Sequence, residues 1–492
     1  MKNSNITKSD SYKFSHYLQL PPGMEQATAY IETRGGLYSD YNVIHGYQRW
    51  LLQHLSKKFN QNDIDVAEKI AFLNGEPFNR EGWETILDVY GGRIPALIRA
   101  VPEGTVMPSG LPIMTIYSVD DMWWIPQYIE TQSVRANWYP ITVASLVFDI
   151  KRVIQEYAIA TTGSKDPLID LRLQNFGSRG VSSAESCEIG ATAAATSFSG
   201  SDSVEAILPI LEYYNPSKLT LDDFLADRVD HGFYILSIPA AEHFTITTWG
   251  RDNEALAYEN MLTQFLRPGS IVAVVSDSYD IYSAVRNIWG EQLRERIINS
   301  GGTVVIRPDS GIPHEVVCDV LDILGEKFGY VTNHLGFKVL PSYVRVIQGD
   351  GINRGSIEEI LWHMKRRGWA SVNLFFGMGG ALMQAPQRDD MKFAQKVCHA
   401  RVAGEWRDVY KEPKTDSGKT SKKGPVETFY NSLTKQYVAR RTDQVTDAET
   451  EFLKPVMKTV YHNGVIPQAL DDFSTIKTRI KNSFDEIFQI YD

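Results

Sequence analysis

SIVAVVSDSYD at 270–280, GTVVIRPDSG at 302–311, YVRVIQGDG at 343–351 and VNLFFGMGG at 372–380 share one pattern: a short apolar run breaks into a turn rich in Gly, Asp and Ser. Short runs of this kind bounded by turn residues read as strands. Upstream, LIDLRLQ (168–174) runs into NFGSRG and GFYILS (232–237) into IPAAEH in the same way, so six strands end in polar turns. Segments of helical period follow several of them, over 281–297, 313–328 and 357–367. Strand–helix alternation of this kind implies parallel strands joined by right-handed crossovers. The expected fold is α/β: an irregular β/α barrel over 166–395, with a doubly wound open sheet as the alternative. Both architectures place ligands at the carboxyl ends of the strands.

The flanks read differently. Residues 1–165 mix helical and irregular signals, punctuated by LPPG at 20–23 and WYPIT at 138–142. Val143, Leu146, Val147, Ile150, Val153, Ile154 and Tyr157 recur at three- and four-residue steps, which predicts a long amphipathic helix ending at the turn that begins with Thr161. Residues 396–492 return to mixed signals, and with 1–165 they are expected to build a second, mixed α+β domain. The stretch KEPKTDSGKTSKKG at 411–424 holds five lysines and, read alone, is a solvated loop.

A chain of 492 residues with 43% apolar and 22% charged side chains is large enough for two or three folded domains. Its formal charge of −10 disfavours general capture of nucleic acid or anionic membrane, so an anionic ligand needs a local basic site. Cys187, Cys318 and Cys398 are widely spaced, which suits a reducing compartment and neither a disulfide framework nor a zinc knuckle. The polar start and the lack of a long apolar run give neither a signal peptide nor a membrane span, so a cytoplasmic location is expected.

Several nucleotide and hydrolase signatures fail on spacing. GMGGAL has Leu382 where a dinucleotide fingerprint needs its third glycine, and SGKT at 417–420 has Pro413 where a P-loop needs its first. HExxH and a strand-end GxSxG are missing. What remains suits a phosphorylated sugar. Gly379 and Gly380 free backbone N–H groups to approach phosphate, with Arg388 and Lys396 downstream as countercharge. Arg307 and Asp309 in RPDSG and Asp350 in QGDG set one cation and two carboxylates at neighbouring strand ends, suited to sugar hydroxyls, phosphates and a bridging Mg²⁺. His243 follows another strand end, with Glu242 beside it and Asp277 and Asp280 on the next turn as candidates to orient its ring. Phe176 and Arg179 give one turn an aromatic face and a guanidinium, fit for stacking a flat heterocycle beside a phosphate. Each of these residues, taken singly, also has a plain structural reading as a cap, a turn or a core ring.

Taken in order, DSYKFSHY (10–17), NFGSRGVSS (175–183), IPAAEHFTITTWG (238–250), VVSDSYDIY (274–282), RPDSG, RVIQGDG (345–351) and FGMGG (376–380) resemble the nicotinamide phosphoribosyltransferase family. The resemblance implies condensation of nicotinamide with phosphoribosyl pyrophosphate (PRPP) in NAD salvage, with Mg²⁺ carried mainly by the diphosphate and with coupled ATP hydrolysis. It implies a homodimer whose active sites lie at the subunit interface, Tyr12 of one subunit closing the pyridine ring against Phe176 of the other. Arg179, Asp202 and Ser237 would complete the base site, Asp202 accepting from the carboxamide and repelling a carboxylate. His243 would be the residue that ATP phosphorylates, with Asp280 supporting its ring. Arg307, Asp309, Gly349, Asp350, Gly379, Gly380, Arg388 and Lys396 would hold the ribose phosphate. Arg34, Lys411 and Lys419 would join Arg179, His243, Arg307, Arg388 and Lys396 around pyrophosphate and ATP. The sequence departs from the family pattern at Gln174, Asn175, Ser178, Met378 and Ala381. Nicotinate phosphoribosyltransferase and a silent sugar-phosphate-binding regulator are the competing readings.

Overall fold

A computed structural model describes residues 4–36, 40–226, 235–467 and 470–489. The chain divides into two compact units: 1–145 with 209–220 and 387–480, and 146–208 with 221–386 and 481–492.

The second unit is the barrel. Six parallel strands, Leu173–Asn175, Gly200–Ser201, Ile271–Val275, Thr303–Arg307, Val344–Gln348 and Leu374–Met378, form one curled sheet in which 173–175 sits between 200–201 and 374–378. The two edges of that sheet, 200–201 and 271–275, are joined by the stretch 235–241. Leu236 exchanges backbone hydrogen bonds of 2.8 Å with Ser199 and Ser201, and Pro239 and Ala241 bond to Ala273 at 3.0 and 2.9 Å. The strands thus succeed one another around the ring in sequence order, an irregular barrel as the apolar runs predict. Residues 232–234 of GFYILS lie outside the described residues.

Apolar packing closes both faces. Ala273, Val305 and Ile347 from three neighbouring strands form an inner cluster on which Phe176 and Phe375 pack. Outside, the helix Pro313–Phe328 buries Val316, Val317, Val320, Leu321 and Leu324, side chains whose burial contributes about 1.5–3 kcal/mol each. The run at 168–174 yields a shorter strand than its length suggests, because Ile169–Leu171 turns as a 3₁₀ helix.

The first unit is built on a six-stranded antiparallel sheet. Its central strand Met24–Glu32 pairs with Ala394–Val402 on one side and Pro112–Ser118 on the other, so N- and C-terminal parts share one sheet. Trp83, Trp124 and Tyr128 meet edge to face beneath it. The long amphipathic helix spans Glu130–Thr162 and carries Pro140 within it, so WYPIT is helical rather than a break. Gly46, at φ +103°, admits the proline ring: a Cβ there would fall 2.2 Å from Pro140 Cγ. Among the described residues no helix is long and apolar enough to cross a membrane.

Candidate active site

The carboxyl ends of the barrel strands converge on Phe176. Its backbone N–H donates to the Met378 carbonyl at 2.9 Å, and the buried Asn175 side chain accepts from Gly177 N–H at 2.8 Å, which shapes the turn after the strand. The ring lies over two glycines. A Cβ on Gly377 would fall 2.0 Å from Phe176 Cε2, and one on Gly349 would touch Phe176, Arg307 and Asp309 at 3.4, 3.5 and 3.6 Å. The Arg307 guanidinium stands 5.7 Å from the ring centroid and donates to Asp309 Oδ1 at 2.8 and 3.1 Å. Phe176, Arg307, Asp309 and Gly349, drawn from three strand ends, therefore form one cluster.

Asp202 stands beside it. Its N–H donates to the Asn175 carbonyl at 3.0 Å, and the Ser237 hydroxyl donates to its carboxylate. Strand-end turns and the closing segment thus bring Asp202 and Ser237 together, one residue from Phe176. Arg179 is exposed on the 3₁₀ turn Ser178–Gly180, with no carboxylate partner among the described residues. Gly180 lies against Gly380, where a Cβ would come within 3.1 Å of the Gly380 Cα, so these two turns touch through backbone alone. Gly379 caps the short helix Gly380–Met383. Asp350 is exposed, and its carbonyl accepts from the buried Gln348 side chain at 3.0 Å.

His243 opens the helix His243–Thr247, and its Nε2 lies 2.9 Å from Asp277 Oδ1. Asp277 is nearly buried, at 4% side-chain exposure, whereas the His243 side chain is 46% exposed. The carboxylate on the ring is therefore Asp277, where the resemblance implies Asp280. Asp280 instead accepts from Ser283 N–H at 3.0 Å as the N-cap of the following helix. Behind them, Glu254 accepts from Tyr258 at 2.8 Å. Burial, with Asp280 and Asp277 nearby, pushes the Glu254 carboxyl up, the Tyr258 hydrogen bond opposing.

The remaining sequence-picked cations sit on the first unit. Lys396 pairs across the sheet with Tyr30. Burial lowers its amine, with Arg34, Lys411 and Lys13 adding to the fall and Glu130 opposing it. Arg34 donates to Glu32 at 2.7 Å, Lys422 pairs with the same carboxylate, and Lys411 is tied to Ser421, its carbonyl accepting from Ser421 N–H and its own N–H donating to Ser421 Oγ. These charges make a basic patch centred on Glu32. Lys419, on Asp416, and Arg388, on Asp389, are exposed. Tyr12 is 52% exposed, its ring edge-on to His16. Sequence reasoning missed Gly377, Lys422 and Lys13. Lys13 is buried against Glu130 beneath Tyr12, and a buried lysine in DSYKFSHY carries no periodic signal.

Residues 171–464 match the nicotinate phosphoribosyltransferase (NAPRTase) family model, and residues 4–98 match the N-terminal domain of nicotinamide phosphoribosyltransferase. A nicotinamide phosphoribosyltransferase from Xanthomonas campestris pv. campestris (strain 8004) is 45% identical over 93% of this chain and 94% of its own. The chain belongs to the nicotinamide phosphoribosyltransferase family. A second member, from Acinetobacter baylyi, is 29% identical over 83% of this chain and 85% of its own. Among solved structures, a nicotinate-nucleotide pyrophosphorylase from Pyrococcus furiosus superposes with a TM-score of 0.60 at 15% identity, covering 99% of this chain and 98% of that one. Human nicotinic acid phosphoribosyltransferase gives 0.50 at 13%, covering 97% and 93%. Both neighbours support the barrel and the separate mixed domain as a family fold.

Proposed function

We propose that this chain condenses nicotinamide with PRPP to give nicotinamide mononucleotide and pyrophosphate. The observation that carries the reading is the Asp202 carboxylate, held by Ser237 and by its own backbone beside Phe176. A carboxamide NH₂ donates to that carboxylate, whereas the carboxylate of nicotinic acid meets like charge.

The pyridine nitrogen has no proton to lose, so attack on C1 of the ribose needs no base. The C–N bond forms as the C–O bond to pyrophosphate breaks, and catalysis rests on orientation and charge. Phe176 holds one face of the ring, and Tyr12 of a second subunit covers the other in a homodimer. Arg179 and Arg307 take the diphosphate charge, a role that the family resemblance also implies for Arg34, Lys396, Lys411, Arg388 and Lys419. Asp309 has one oxygen outside its Arg307 bonds and Asp350 is exposed, an oxygen set that fits a hard cation. Mg²⁺ carried on the diphosphate would supply further charge neutralisation. For ATP coupling, His243 with Nε2 turned to Asp277 offers Nδ1 as nucleophile toward the γ-phosphorus. The P–N bond forms, ADP departs, and Asp277 balances the charge on the ring. Three buried free cysteines suit the reducing cytoplasm.

Steady-state kinetics with the two pyridines tests the proposal. Nicotinamide should be the preferred substrate. Asp202→Asn should lower kcat/KM for it roughly 10- to 100-fold, the value of one hydrogen bond to a charged group, while narrowing discrimination against nicotinate. Equal use of both pyridines by the unaltered enzyme, or no nucleotide from nicotinamide and PRPP, would sink it.

A further inference from the structure

Outside the barrel mouth, two helices bring three metal-ligating side chains together. Glu359 and His363 stand one turn apart on the helix Arg354–Arg366 and so share a face. His314 is the second residue of the neighbouring helix Pro313–Phe328. The His314 and His363 rings stack at 4.1 Å with 15° between planes, and His314 Nδ1 lies 3.5 Å from Glu359 Oε1. Among the described residues this is the one group of three or more His, Cys, Asp or Glu whose donor atoms all fall within 4.8 Å of one another. No lysine or arginine is paired with Glu359 among those residues, so its carboxylate is available as the anionic ligand.

We propose that His314, Glu359 and His363 bind a divalent transition ion of the zinc class, with water completing the shell. Two imidazoles and one carboxylate suit Zn²⁺ or Co²⁺ rather than Mg²⁺ or Ca²⁺, which prefer all-oxygen sites. Tetrahedral zinc sets its donors about 3.3 Å apart, so donor atoms that now lie within 4.8 Å of one another must close by about 1.5 Å at most. Glu359, 56% exposed at its side chain and already 3.5 Å from His314 Nδ1, is free to adjust, and the closure also requires the stacked His314 and His363 rings to tilt so that each turns a nitrogen to the ion. The helix of His314 follows the RPDSG turn, and the helix of Glu359 and His363 follows the QGDG turn. A Cβ on Gly351 would lie 3.5 Å from Pro313 Cγ, so the two turns already adjoin. The ion ties together the two helices behind Arg307–Asp309 and Gly349–Asp350, a fixed brace at a distance from the reacting atoms.

Titration of the full-length protein with Co²⁺, followed by ligand-field absorption, tests the site directly, with Zn²⁺ displacement as the second reading. One equivalent should bind, and Zn²⁺ should raise Tm by mass action. His314→Gln and His363→Gln should lose the absorption band and the Zn²⁺-dependent rise in Tm while keeping the far-ultraviolet circular dichroism of the parent. Glu359→Gln should weaken Co²⁺ binding ~10-fold or more. His243→Ala should bind as the parent does, which separates this site from the His243–Asp277 pair. Absence of a Co²⁺ band in the parent, an unchanged band in the double variant His314→Gln/His363→Gln, or loss of the band in His243→Ala would each overturn the proposal.

Discussion

The seat of the Phe176 ring is set by a missing methyl group. With a Cβ on Gly377 falling 2.0 Å from Phe176, Gly377→Ala must push the ring off its seat. KM for nicotinamide should rise about 10-fold, the worth of one aromatic contact, with a smaller change in kcat; isothermal titration of nicotinamide should show the same loss. An unaltered KM would remove Phe176 from the base site. Lys396 gives a prediction in pH. Its amine is lowered by burial below the ordinary 10.5 and holds an anion only when protonated. As pH rises, protonation is therefore lost before the ordinary lysine range is reached, and pyrophosphate affinity should fall relative to Lys396→Arg, whose guanidinium stays charged. Calorimetric titration of both proteins across that range checks the sign, since the pyrophosphate's own ionisation affects them equally. His243, Arg307 and Asp309 were legible because each stands at the end of an apolar run. The partner of His243 was not: SDSYD offers two aspartates three residues apart, and only the backbone path decides which one faces the ring.

Those two aspartates separate roles within one strand–turn–helix element. Asp277→Asn should abolish ATP stimulation while sparing ATP-independent synthesis, as His243→Ala should. Asp280→Ala should keep ATP stimulation and lower stability by about 1 kcal/mol, the usual cost of a lost N-cap. Initial rates with and without ATP, alongside urea denaturation, distinguish the two. The reverse assignment would be seen at once as ATP coupling lost in Asp280→Ala. At this scale the barrel was readable because short apolar runs, polar turns and segments of helical period follow one another repeatedly. The strand Gly200–Ser201 was not readable, since two small residues in SGSDSV carry no pattern. The extent of the helix Glu130–Thr162 was also hidden, because Pro140 reads as a stop until Gly46 makes room for it.

For the whole molecule, the mixed unit could be expected from its flanks but not drawn. Tyr30 pairs with Lys396, and no local periodicity announces a partner so distant in sequence. The proposed shared site makes a quantitative prediction. Tyr12→Ala and Phe176→Ala should each be nearly inactive, and mixing them with subunit exchange should restore about a quarter of the activity, since half the dimers carry one intact site of two. No recovery on mixing would place both residues in the same subunit's site. The ring itself is unevenly joined. Six of its staves are knit by strand ladders, whereas the stretch bearing Leu236, Ser237 and Ala240 is held by two backbone bonds on each side. That seam carries the hydroxyl that donates to Asp202, and the turns proposed to bind phosphate lie on the firmer staves. On the proposed reading, the choice between the two pyridines rests on one loosely stitched plank of the ring, apart from the turns proposed to hold the sugar phosphate.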